Sequence, residues 1–214
     1  MTLQNRLDVL KQEFSAKVPS DALDVMSQET EKLLASDIVS KTIKLGEKLP
    51  NGQLTAVNGD LLNIDQLING KPLVISFYRG GWCPYCNLEL KALEAIASEI
   101  KELSANIIAM TPESISHVKD TKKNNGVSFE VFSDDGSHFA KELGLVFTLP
   151  KSLQEIYLTF DIDVEKHNGE SMFELPIPAT IIVKPNREIV YIFTDGDYTN
   201  RSEPSTILDV LKNL

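Results

Sequence analysis

Cys83 and Cys86 lie in the stretch FYRGGWCPYCNLEL, residues 77–90, and are the only cysteines in a chain of 214 residues. Two sulfurs three positions apart support three chemistries: a metal clip, a static bridge, or a dithiol that trades electrons. A structural zinc usually needs four Cys or His ligands, and His117, His138 and His167 show no paired spacing, so a metal is disfavoured. A static disulfide across so short a loop is disfavoured too, because the loop is small and a reducing compartment opens it. The redox reading carries a mechanism. With Cys83 as N-cap of a helix, Pro84 falls at the first helical position, where its missing N–H costs nothing, and Cys86 falls one turn in. Unpaired amides and the positive end of the helix dipole favour thiolate over thiol there. A second sulfur one turn away then displaces whatever the first has captured.

The elements that would hold such a pair follow from the apolar pattern. Short apolar runs at 72–78, 105–111, 129–134, 179–184 and 189–194 alternate with amphipathic stretches, which predicts a mostly parallel sheet with crossover helices. Helices are expected from about Cys83 to Leu103 and over 113–124, 136–143 and 203–213, and the last two strands form a hairpin through KPNRE. The dithiol then sits where a buried strand ends and a long helix begins, the end of an open α/β sheet where sites collect. Residues 1–44 read as a helical arm broken at VPSDA, with Ser20 expected to cap its second helix, and residues 45–214 as the main domain.

The net charge of −10 repels phosphate backbones and anionic lipid surfaces, so nucleic acid and membrane are not expected partners. No apolar run reaches the ~18 residues of a membrane span, and MTLQNRLDVLKQEF is amphipathic rather than a leader, which points to the cytoplasm. The arm's apolar stripe must cover something, so a homodimer is expected. No cofactor is called for.

FYRGGWCPYCNLEL resembles the strand-to-helix segment of the thioredoxin-like superfamily, and LPIPATIIVKPNREIVYIFTDGDYTNRSEP resembles the tail of peroxiredoxin-like proteins. The chain is similar to the alkyl hydroperoxide reductase C and thiol-specific antioxidant family, in a subgroup with a Cys-x-x-Cys pair, over about residues 45–214; the arm also resembles that subgroup. The resemblance implies a thioredoxin-like α/β fold, a central mixed sheet flanked by helices, with an N-terminal helical extension. It sets Cys86 at the peroxidatic position, with Phe77, Tyr78, Glu89 and Leu90 in register. Cys83 stands where the family has Thr, Arg79 where it has Pro, and Pro178 where it has a peroxide-polarising Arg.

Pro178 instead matches the thioredoxin role of a cis-proline packed against the dithiol. Arg79 and Arg201, two of only four arginines, are candidates to replace the missing charge, since guanidinium offers rigid, permanent donors. Trp82 matches an aromatic that screens the thiols, and Asp197, Tyr198 and Thr199 would shape the same face, chiefly as a turn cap. Two activities follow. One is a thiol peroxidase acting on hydrogen peroxide or organic hydroperoxides, in which a sulfenic acid on Cys86 is resolved by Cys83 and thioredoxin or a similar dithiol is the reductant. The other is a protein disulfide reductase starting at Cys83, and a redox-sensitive interaction module is the non-enzymatic alternative.

Overall fold

The computed structural model describes residues 1–169 and 172–214. Along the chain, the strands are β1 (Gln53–Ala56), β2 (Leu61–Asn63), β3 (Leu73–Phe77), β4 (Asn106–Thr111), β5 (Glu130–Ser133), β6 (Val146–Thr148), β7 (Glu174–Pro176), β8 (Ala179–Val183) and β9 (Ile189–Thr194). The helices are α1 (Leu3–Ser15), α2 (Ser20–Ala35), α3 (Ile64–Ile68), α4 (Pro84–Glu102), α5 (Ile115–Asn125), α6 (His138–Glu142), α7 (Lys151–Thr159), α8 (Val164–Asn168) and α9 (Pro204–Lys212).

Seven strands form one sheet in the order β2-β1-β5-β4-β3-β8-β9, while β6 and β7 pair separately. Among the described residues, only β3 with β4 and β4 with β5 are parallel. The mostly parallel sheet expected from the apolar pattern is therefore corrected to a mixed one: β8 enters beside β3 antiparallel and turns through the KPNRE hairpin into β9. The five apolar runs all became strands of this sheet. Alternation along β3 divides its two faces. Leu73, Ile75 and Phe77 pack toward Ile64 and Ile68 of α3, whereas Val74 packs toward Leu90 and Leu93 of α4 and Ile207 of α9.

The arm does not stand apart from this core. Leu3 and Leu7 of α1 are buried in the cluster that holds α4 and α9. The Glu203 carboxylate accepts the first-turn amides of Leu3 and Gln4 at 2.9 and 2.8 Å, which caps α1 from the far end of the chain. The stripe that asked for a second copy is thus covered within the chain, and the expectation of a homodimer loses its basis. Ser20 is also corrected: it is the first residue of α2, whose N-cap is Pro19.

Candidate active site

β3 ends at Phe77, and the chain crosses Tyr78 to Trp82 before α4 begins. A side chain at Gly80 would run into the Trp82 indole, and one at Gly81 into Thr121 Oγ1, so the two glycines let this crossing lie flat against its neighbours. The Gly81 amide donates to the buried Glu113 carboxylate at 2.9 Å, which pins the segment just before the cysteines. Cys83 is the N-cap of α4 with Pro84 following, and both sulfurs are reduced.

The sulfurs lie deeper than a helix N-terminus alone would place them: Cys83 is 2% exposed and Cys86 0%. Cys83 faces a small cavity of about 40 Å³, walled by Trp82 and Tyr157 and roofed by Phe14 of α1 and Met26 of α2. Cys86 lies behind it. Its Sγ accepts from Arg201 Nη2 at 3.4 Å. The same guanidinium donates through Nε to Glu89 at 2.6 Å and through Nη1 to the carbonyls of Tyr198 and Asn200. Arg79 is the second buried cation. Its Nη2 donates to the Tyr157 hydroxyl at 2.7 Å, and its guanidinium lies 4.3 Å from the centre of the Tyr198 ring and 5.0 Å from that of Trp82.

These groups drive the two thiols apart. Burial pushes the Cys83 pKa up, but a hydrogen bond from the Cys86 thiol, the charges of Arg79 and Arg201 and, last, the Cys86 amide outweigh it and bring it down to about 6. Burial, the hydrogen bond given to Cys83 and the charge on Cys83 push Cys86 well above its ordinary value, against both arginines. The helix amide thus contributes least, and the guanidiniums more. Burial raises the Glu89 carboxyl to about 7 in spite of its bond to Arg201.

Arg79 and Trp82 line the cavity at Cys83, and Arg201 reaches Cys86. Pro178 does not take the expected form. Its peptide bond is trans, since no cis bond occurs among the described residues, and it lines a larger cavity beside Arg79 rather than the one at Cys83. Asp197 caps its turn by accepting from the Thr199 amide at 2.9 Å, and Tyr198 carries the ring against Arg79. Glu89 had appeared only as a register marker, although its position three residues after Cys86 puts both on one helix face. Tyr157 carried no sequence signal. His167 and His117, unpaired in sequence, lie with their ring centres 4.2 Å apart and their planes tilted by 37°, and His167 Nδ1 lies 3.1 Å from the Glu113 carboxylate.

The family model of the AhpC/TSA family matches residues 45–192, more than half of the chain and all of β3, the dithiol and β8. The chain belongs to the AhpC/TSA family. Peroxiredoxin Q of Triticum aestivum, a chloroplastic protein, is 24% identical over 73% of this chain and 77% of its own length. The thiol-disulfide oxidoreductase ResA of Halalkalibacterium halodurans is 25% identical over 72% of this chain and 70% of its own. In structure, peroxidoxin BcpB of Mycobacterium tuberculosis superposes with a TM-score of 0.63 at 15% identity, covering 80% of this chain and 98% of its own, and so shares the fold. The AhpC/TSA match ends before Arg201 and begins after α2, so the second cation and the roof over Cys83 lie outside it.

Proposed function

We infer that this protein is a thiol-dependent peroxidase in which Cys83 strikes first and Cys86 resolves. The observation that carries the assignment is the small cavity lined by Cys83 and by the buried Arg79, with Cys86 sealed behind it against Arg201. It reverses the order expected from family position and gives to the peroxide the Cys83-first order that was expected for attack on a protein disulfide. The Cys83 thiolate attacks one peroxide oxygen. The O–O bond breaks, an S–O bond forms, and the other oxygen leaves as water or alcohol after taking up a proton. Cys86 then loses its proton and attacks the Cys83 sulfur, expelling the hydroxyl as water and closing the disulfide. Arg79 supports the departing oxygen's charge, in the place of the arginine that Pro178 displaces. A thioredoxin-type dithiol returns the two electrons. Reducing surroundings such as the cytoplasm fit a pair of free thiols, and no helix among the described residues is long and apolar enough to cross a membrane.

Dimedone trapping on single variants tests the order. Peroxide added to Cys86→Ser protein is expected to leave a dimedone adduct on Cys83, while Cys83→Ser protein leaves none; an adduct confined to Cys86 in the Cys83→Ser protein contradicts it. A disulfide reductase is the second reading, favoured by the ResA relative and by a low-pKa sulfur at the helix N-cap. It predicts that Cys86→Ser protein holds a mixed disulfide with a substrate protein on Cys83 and that peroxide produces no NADPH consumption with thioredoxin and its reductase.

A further inference from the structure

Of the two arginines buried beside the sulfurs, Arg201 has a carboxylate of its own, since Glu89 accepts from its Nε at 2.6 Å. Arg79 has no such partner among the described residues. Its Nη2 donates to the Tyr157 hydroxyl, the rings of Trp82 and Tyr198 lie against it, and its Nε meets no acceptor. A buried charge needs a counter-ion, and a buried donor needs an acceptor. In the reduced protein the Cys83 thiolate supplies the opposing charge. Disulfide formation removes that thiolate and leaves the Arg79 guanidinium without it.

Arg79 also belongs to the wall of a second cavity, of about 210 Å³. Leu33 of α2, Phe147 of β6, Leu149, Leu153 of α7 and Ile177 give its sides hydrocarbon. Polar groups in the lining are already engaged: Glu29 with Lys32 at 2.9 Å and Ser152 at 3.1 Å, Thr30 with the Met26 carbonyl at 2.9 Å, and Ser36 with the Leu33 carbonyl at 2.6 Å. Among the described residues of the lining, Arg79 Nε is the one buried side-chain donor with no acceptor. Lys32, Ser36 and Thr148 in the same lining are exposed, so the cavity is reached from solvent without passing the sulfurs. Aliphatic sides and a buried cation select a molecule with a hydrocarbon chain and one anionic head, and a carboxylate matches the planar guanidinium. α2 precedes residue 45, where the family match begins, so this wall is not part of the shared core.

We propose that this cavity binds an unbranched aliphatic monocarboxylate with its head on Arg79, and that the disulfide form binds it more tightly than the dithiol form. The ligand is not consumed and does not touch sulfur; it takes over from the thiolate as the counter-ion of Arg79. By linkage, it stabilises the disulfide by the same factor by which oxidation tightens its binding. The inference needs only a dithiol–disulfide cycle, which the peroxidase and reductase readings share, so its failure leaves both of them standing.

The test is isothermal titration calorimetry of the full-length protein with sodium octanoate at a pH of about 8, where Cys83 is ionised when reduced. The reduced form is compared with protein oxidised by diamide, which accepts two electrons and two protons to become the hydrazine. Octanoate is expected to bind the disulfide form about 10-fold more tightly, within the usual range of coupling between two sites. Reduced Cys83→Ser, which lacks the thiolate, should bind octanoate as tightly as the oxidised wild type. From butanoate through hexanoate to octanoate, affinity is expected to rise about fourfold for each CH₂ buried. In wild type, 1-octanol and octylamine should bind about 10-fold or more weakly than octanoate. Leu33→Phe, which narrows the cavity, is expected to abolish binding, and Arg79→Met to remove the preference for octanoate over octanol. No heat with octanoate, equal affinity in both redox forms, or octanol binding as well as octanoate overturns the proposal, and each is read on wild type alone. Unchanged affinity in folded Leu33→Phe overturns it as well.

Discussion

Arg79 and Arg201 are buried beside the two sulfurs, where water screens their charge weakly and a guanidinium holds an anion more firmly than at a surface. Arg201 also has to neutralise Glu89, so it is shared between a carboxylate and a thiol. Arg201→Met strands a buried carboxylate, and we expect a loss of about 3–5 kcal/mol in denaturant unfolding, with much of it recovered in the Glu89→Gln/Arg201→Met double variant. Glu89 has a pH signature of its own. Between its ordinary 4.5 and about 7 the folded chain holds a proton that the unfolded chain has released, so this group's contribution to stability falls as pH rises through that window. Cys83 works in the opposite sense, adding stability as pH rises from about 6 toward its ordinary 9.0. Glu89→Gln should therefore flatten the decline below pH 7 and leave the Cys83 rise, as measured by melting temperature against pH.

At the level of elements, α1 and α2 form the roof over Cys83 through Phe14 and Met26, and α1 is held by Glu203 at its start and by Lys11 to Asp197 at 3.3 Å further along. Glu203→Ala removes a cap worth about 1 kcal/mol, and we expect faster iodoacetamide alkylation of Cys83 in the native protein, with the far-ultraviolet circular dichroism unchanged. The same rate in wild type and variant would show that the roof does not control access. Some of these elements were legible in advance and some were not. β3, β4, β5, β8 and β9 fall on apolar runs, of which β3 and β8 are buried along their whole length, and helical spacing after Pro84 announces α4. β1, β2, β6 and β7 are three or four residues long with mixed polarity, and become strands only because a neighbour offers its edge. The covered stripe of α1 was visible as a stripe, but the surface that covers it comes from the opposite end of the chain.

Over the whole molecule, the site gathers residues from β3, α4, α7 and the segment after β9, with the N-terminal helices above. Cys83, Cys86, Arg79, Trp82 and Arg201 stood out as candidates in the sequence because rare residue types clustered in two short motifs, and the fold brings them together. The sequence did not single out Tyr157, 78 positions from the arginine it binds, nor the division of roles between the sulfurs, which depends on depth rather than on spacing. A chain with a net charge of −10 thus surrounds its sulfurs with positive charge by burying two of its four arginines there. The most direct test of this arrangement is the absorbance of the reduced protein at 240 nm, followed from acid to alkaline pH. One thiolate per chain is expected to appear with a midpoint near 6, to vanish in Cys83→Ser, and to shift upward in Arg79→Met. A first thiolate appearing only at about 8.5, the value of a free cysteine, or one that persists without Cys83, would contradict it.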